Sequence, residues 1–173
     1  MATRCNIAVV LKPEDINRPL NFMTYTTEYD IDLAMIECSD SRTLRDEDLD
    51  EIFTDIKTTI DYPVLQIYSH WDGYPSGVGA ELIKNFNSYE KALALVLAGD
   101  TSGVYDGVTY AYSLGNGEYY EDAHGRGNRP NKLVESIRQN DYLYTFMDGE
   151  WKFGNSKISL KDYLENPDNY FNE

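Results

Sequence analysis

The chain predicts an α+β fold: a single domain with a mixed or largely antiparallel sheet and helices packed mainly on one face. Three observations carry that reading. Short β-branched or alternating runs bounded by Pro, Gly, Asn and Asp recur along the chain. Between them, other segments place apolar residues at helical spacing, in places behind a capping residue. Finally, Gly115-Asn116 and Asp148-Gly149 separate strand-like runs, the signature of tight hairpins.

Taken in order, Asn6 to Leu11 is a short apolar run ended by Lys12-Pro13 and reads as a buried first strand, followed by a loop from Pro13 to Pro19. Asn21 to Thr27 and Asp30 to Cys38 read as an antiparallel strand pair, the second because Ile31, Leu33 and Met35 alternate with Asp32 and Ala34. Thr43 to Ile60 shifts to helical period, with Leu49, Ile52, Phe53, Ile56 and Ile60 on one stripe and Asp46, Glu47 and Asp48 in the first turn. Val64 to Ser69 reads as a central strand. Ala80 to Phe86 is a short helix, and Ser88 caps a second in which Tyr89, Ala92, Leu93, Val96 and Leu97 form the apolar stripe before Gly99. A tyrosine-rich hairpin follows, Val108 to Ser113 with Gly117 to Asp122. Gly125 to Asn131 is a loop leading to a short helix through Leu133, Val134 and Ile137. Tyr142 to Met147 and Glu150 to Phe153 form the Asp-Gly hairpin, and a last helix from Ser159 to Glu165 stops before Pro167.

Composition bounds the function. With 173 residues and 42% apolar content the chain can bury one real core. Met1 to Asn6 has no apolar leader and no run is long enough to cross a bilayer, so a cytoplasmic protein is expected, neither secreted nor anchored. Cys5 and Cys38 sit in strand-like runs, where free cysteine is usually a small buried hydrophobe. A net charge of −15 argues against direct contact with nucleic acid or an anionic membrane and favours a basic protein partner. Between Asp30 and Asp61 lie eleven acidic residues against Arg42, Arg45 and Lys57, about half of that charge. The sequence is compatible with a homo-oligomer and no motif demands a cofactor.

One stretch, Tyr68 to Gly79, gathers one of two histidines, one of two tryptophans, two tyrosines, an aspartate, three glycines and a proline between an expected strand and an expected helix. Four readings of it stand side by side. His70 and Asp72 with His124 supply the ligand types of a hydrolytic metal site, although no metal-ligand spacing links them. Ser69 or Ser76 beside His70 has nucleophile chemistry without a nucleophile-elbow pattern, and Cys5 lies in a strand. Ser76-Gly77-Val78-Gly79 entering a helix resembles an anion nest, and with the rings of Trp71 and Tyr74 and the guanidiniums of Arg126 or Arg129 it would suit a nucleotide-sized ligand. The alternative is structural: Trp71 and Tyr74 as core anchors, Gly73 and Gly77 at positive-φ turns, and His70 bonded to the loop. The fifteen tyrosines divide likewise between half-buried strands and a tyrosine and carboxylate surface for a partner.

Met1-Ala2-Thr3-Arg4-Cys5-Asn6-Ile7, then His70-Trp71-Asp72-Gly73-Tyr74-Pro75, then Leu97-Ala98-Gly99-Asp100, then Tyr142-Leu143-Tyr144 to Asp148-Gly149-Glu150-Trp151, resembles a family of small uncharacterised bacteriophage and prophage proteins. The likeness runs in order over most of the chain. In that family the first strand passes quickly into the His-Trp-Asp-Gly-Tyr segment, so residues 13–62 look like an acidic insertion. The resemblance implies a phage accessory protein made in a bacterial cytoplasm, and it carries no activity.

Three functions follow as expectations. The first is a counter-defence or host-takeover inhibitor whose acidic face, Asp46, Glu47, Asp48, Asp50, Glu51 and Asp55, occupies a basic surface on a host nucleic-acid-handling or immune protein. The second is a site for a nucleotide-sized ligand formed by His70, Trp71, Asp72, Gly73, Tyr74, Ser76 and Gly77 with Arg126 and Arg129. The third is a small metal-dependent hydrolase acting through His70 and Asp72.

Overall fold

The computed structural model describes residues 3–37, 54–111, 128–133 and 141–169. Within these, nine strands form one mixed sheet and four helices cover one of its faces. At its centre lies β1 (Cys5–Val10), antiparallel to β3 (Val64–Ser69) on one side and parallel to β7 (Tyr142–Met147) on the other. Both β1 and β3 are apolar runs without alternation because both of their faces are buried. From β7 the sheet continues antiparallel through β8 (Glu150–Phe153) to β9 (Ile158–Ser159). On the other flank, β3 meets β4 (Thr101–Tyr105) at Ser69 and Thr101, β4 pairs antiparallel with β5 (Val108–Ala111), and β2 (Ala34–Glu37) runs parallel to β5. The N-terminal half of β3, Val64 to Gln66, pairs instead with β6 (Arg129–Asn131).

A single core fills the space between one sheet face and the helices. Helix α3 (Tyr89–Leu97) is capped by Ser88, whose hydroxyl accepts from the Lys91 amide at 3.2 Å, and buries every residue from Ala92 to Ala98 against β1 and β3. Helix α2 (Ala80–Asn85) adds Leu82, and helix α4 (Leu160–Glu165), capped by Ser159, adds Leu160. These helices begin where the caps and stripes place them. The segment 13–62 is built into the same core where it is described: Leu20, Phe22, Tyr25 and Leu33 are buried beside Ile7, Val9 and Leu65. Among the described residues no helix is long and apolar enough to cross a membrane.

Several expectations change. The strand expected over Asn21 to Thr27 is helix α1 (Phe22–Glu28). Asn21 caps it by accepting from the Thr24 amide at 2.9 Å, Phe22 and Tyr25 bury at a spacing of three, and the Thr26 and Thr27 hydroxyls donate back to the Phe22 and Met23 carbonyls at 2.8 Å. Those back-bonds let threonines occupy helical positions despite their strand propensity. The Asp30 to Cys38 strand therefore shortens to Ala34–Glu37 and finds a parallel partner in β5. The expected helix over Thr43 to Ile60 does not extend through Thr54 to Ile60: Ile56 exchanges backbone bonds with Leu20 at 2.9 and 2.7 Å, and Ile60 is 78% exposed. Residues 38–53 lie outside the described residues, Cys38 among them. Last, β5 is in a hairpin with β4, a strand absent from the sequence reading, and the connection is Asp106-Gly107, both at positive φ as a type I′ turn requires. The expected partner over Gly117 to Asp122 and the helix at Val134 to Ile137 fall outside the described residues, and the expected loop over Gly125 to Asn131 becomes strand from Arg129.

Burial has a measurable consequence for the ionisable core. It pushes the Cys5 thiol up to about 12 and holds the phenols of Tyr25, Tyr89, Tyr105 and Tyr144 above their ordinary range, Tyr89 and Tyr105 further through bonds to Asp15 and Asp72. A raised folded-state pKa means that the stability is complete below the unfolded value and is lost as pH rises, because the unfolded chain releases protons first. The melting midpoint is expected to hold to about pH 9 and fall steeply above about pH 10. A subset of tyrosines should ionise only as the chain unfolds; ionisation of all of them near pH 10 with the fold intact would contradict the burial.

Candidate functional site

The turn after β3 is built by backbone, not by side chains. Strand pairing runs past Ser69, since the His70 amide donates to the Thr101 carbonyl at 3.1 Å and that of Trp71 to Ser102 at 2.8 Å. Asp72 then takes a left-handed conformation, φ 56°, and reverses the chain. The Gly73 amide donates to the Thr3 carbonyl at 2.8 Å and the Gly73 carbonyl accepts from the buried Tyr144 hydroxyl at 2.6 Å, which fastens the turn to the lead-in of β1 and to β7. A π-helical turn, Pro75–Gly79, leads into α2.

The glycines serve close packing. A Cβ at Gly73 would sit 2.8 Å from the Thr3 carbonyl oxygen, one at Gly77 would strike the Asp72 carbonyl, and one at Gly79 would press on the Tyr144 ring at 3.2 Å. None of the three has positive φ, contrary to the turn role expected of Gly73 and Gly77; Asp72 supplies the reversal. The amides expected to form an anion nest are also engaged: Gly77 donates to Tyr74 at 2.9 Å, Val78 to Asp72 at 2.8 Å and Gly79 to Tyr74 at 3.5 Å. Their donors close the turn and do not face a phosphate.

The side chains of the stretch divide between surface and interior. On the surface, Asp72 accepts from the Tyr74 hydroxyl at 3.3 Å through Oδ1 and from the Tyr105 hydroxyl at 2.5 Å through Oδ2. Trp71, Tyr74 and Tyr105 are 43, 39 and 40% exposed, so the two aromatics expected as core anchors stand in solvent. Partial burial, with the bond to Asp72, raises the Tyr105 phenol; the Asp72 charge raises that of Tyr74. Both therefore remain donors, and no cation among the described residues pairs with Asp72. In the interior, His70 is buried with Nδ1 2.6 Å from the Tyr68 hydroxyl and its ring edge-on to Trp71 at 4.7 Å. The Tyr68 amide donates to Asp100 at 2.9 Å.

His70 and Asp72 thus face different ways, and no three His, Cys, Asp or Glu side chains converge as metal ligands among the described residues. Arg129 lies on β6 opposite Gln66, on the same sheet face as Tyr68 and His70 and away from the exposed turn. Ser76 is exposed. Arg126 and His124 fall outside the described residues, as do Asp46, Glu47, Asp48, Asp50 and Glu51; Asp55 is exposed and accepts from the Asn21 side-chain amide at 2.6 Å. Tyr105 is the site residue that sequence reading misses. Its signal was available in Asp106-Gly107, a hairpin dipeptide immediately after it. No family model, curated protein or solved structure matches the chain.

Proposed function

We propose that the protein acts by binding, without catalysis, and that its anchor on a basic partner protein is the Asp72 patch. The observation that carries this reading is a half-buried carboxylate at the surface, held by two tyrosine hydroxyls and flanked by an exposed tryptophan, with no cation paired to it among the described residues. An ionised carboxylate offers about four lone-pair directions. Two are taken, one on each oxygen, and one on each remains, the acceptor pair that a guanidinium fork matches. Tryptophan and tyrosine contribute large rigid contact area at protein interfaces, where arginine is their frequent counterpart. The overall charge of −15 would steer a basic surface toward this chain. For a chain resembling phage accessory proteins, the natural target is a basic surface on a host protein that handles nucleic acid or mediates immunity, which would make it a counter-defence or host-takeover inhibitor.

The test is retention of host proteins by the immobilised chain and by two surface variants. Trp71→Ala and Asp72→Asn should leave the fold intact and move the melting midpoint little, because Trp71 is exposed and asparagine keeps an acceptor for the tyrosine hydroxyls and tolerates the left-handed backbone. Each should weaken capture of a salt-sensitive partner by roughly tenfold or more. Equal capture by both variants would remove the patch from function and return the acidic residues 46–55 to first place.

A further inference from the structure

The carboxyl end of β1 borders an open cleft. Because β1 and β3 run antiparallel, this cleft lies at the end of the sheet away from the Asp72 patch. It encloses about 510 Å³, within the range of small-molecule sites, about 300–1,000 Å³. The ends of β1 and β7 form one side, Val10 and Leu11 with Phe146 and Met147, and the first turn of α3 forms the other. Leu11, Phe146 and Tyr89 belong to the helix-covered core, and most of the lining is apolar.

Two opposite charges border this apolar lining without neutralising each other. Lys12 is held at both ends by one residue: its amide donates to the Tyr89 hydroxyl at 3.0 Å, and its ammonium stands 4.5 Å from the centroid of the Tyr89 ring. Tyr89 is itself fixed, since its hydroxyl donates to the buried Asp15 at 2.6 Å. Glu90, the next residue on α3, brings a half-buried carboxylate to the same cleft. Among the described residues neither Lys12 nor Glu90 has an ion-pair partner within 4.0 Å, so they do not pair with each other. Ser88 accepts from the Lys91 amide and keeps its own proton to donate. Asp148, on the tip of the β7–β8 hairpin, adds a second carboxylate.

A cation and a carboxylate beside one apolar cleft match a zwitterion with an apolar body. We propose that the cleft binds a free amino acid whose side chain is apolar or aromatic. Its α-carboxylate meets the Lys12 ammonium and the Ser88 hydroxyl, its α-ammonium meets Glu90, and its side chain lies against Leu11 and Phe146. A simple carboxylic acid would satisfy Lys12 alone and would be opposed by Glu90, Asp148 and the net charge of −15. A simple amine would satisfy Glu90 and leave Lys12 as a like charge beside it. Because Tyr89 already holds Lys12, little ordering cost remains when the ligand arrives.

Titration calorimetry and thermal shift on the full chain test this with phenylalanine, leucine and serine. Phenylalanine or leucine should raise the melting midpoint with increasing ligand excess, and serine should not. N-acetylphenylalanine lacks the ammonium and phenylalanine amide lacks the carboxylate; each should bind about tenfold more weakly, the loss of one charge-assisted contact. Lys12→Met keeps the stem beside Tyr89 without its charge. It should weaken phenylalanine about tenfold and leave the amide's affinity unchanged, while Glu90→Gln should weaken phenylalanine similarly and leave that of the N-acetyl form unchanged. Both variants should melt close to the parent, because Lys12 is exposed and neither residue has an ion pair to lose. No shift with phenylalanine or leucine, capped forms that bind as well as phenylalanine, or an unchanged affinity for phenylalanine in Lys12→Met or Glu90→Gln would overturn the site.

Discussion

Replacing Trp151 by alanine is expected to cost about 3–5 kcal/mol from the lost core contacts, which approaches the whole stability of a marginal domain. Trp151 is fully buried on β8, its ring edge-on to Phe146 at 5.3 Å, and its indole N–H donates to the Phe86 carbonyl at 2.9 Å just past the end of α2. One side chain thus ties the β7–β8 hairpin to the helix that follows the site turn. Alanine removes the packing and leaves the Phe86 carbonyl buried without its donor. At roughly 2–4 °C per kcal/mol for a chain of this size, the melting midpoint should drop by roughly 6–20 °C. Phenylalanine restores most of the apolar contact but not the donor, so Trp151→Phe should lie between the two. Urea unfolding with an unchanged denaturant slope is the measurement, and a loss below about 1 kcal/mol in Trp151→Ala would contradict the packing described.

The second large effect is expected at Gly77. A Cβ there meets the Asp72 carbonyl oxygen, which cannot retreat without breaking its bond from the Val78 amide at 2.8 Å, and the Tyr74 ring stands 3.0 Å away on the other side. Gly77→Ala must open the turn, at a cost of about 1–3 kcal/mol or more, and in doing so displaces the carboxylate from the Tyr74 and Tyr105 hydroxyls. Amide exchange at Val78 should accelerate well beyond that of the core strands. Gly149 is the contrasting control: nothing lies within 4 Å of a Cβ there, so alanine pays only for φ 81°, about 1–2 kcal/mol. If Gly77→Ala cost less than Gly149→Ala and left Val78 protected, the close-packed turn would be refuted.

How much of this was legible in the sequence depended on where the controlling interaction lay. The stripe from Tyr89 to Leu97 behind Ser88, the apolar runs of β1 and β3, the Asp148-Gly149 hairpin and the helix from Ser159 all state their structure locally, through capping oxygens, period and positive-φ dipeptides. Phe22 to Glu28 misleads because its threonines carry strand propensity while the deciding features are the Asn21 cap and the burial of Phe22 and Tyr25 against α3. Ile56 misleads similarly, its helical spacing overridden by a backbone exchange with Leu20 far away in sequence.

The candidate site shows the same division. The residues alone were enough to show that the His70 turn follows a central strand, that it gathers three glycines among aromatic rings, and that the chain carries a net charge of −15. Only the tertiary structure decided what those residues do. The glycines admit neighbouring backbone, because Thr3 and the Asp72 carbonyl approach within contact distance, and the amides that resemble a nest are consumed in closing the turn. Tyr105 reaches Asp72 only through the β4–β5 hairpin, and Arg129 comes to lie opposite Gln66 only in strand register. Register joins residues many positions apart through backbone hydrogen bonds, which no side-chain pattern in a single sequence records.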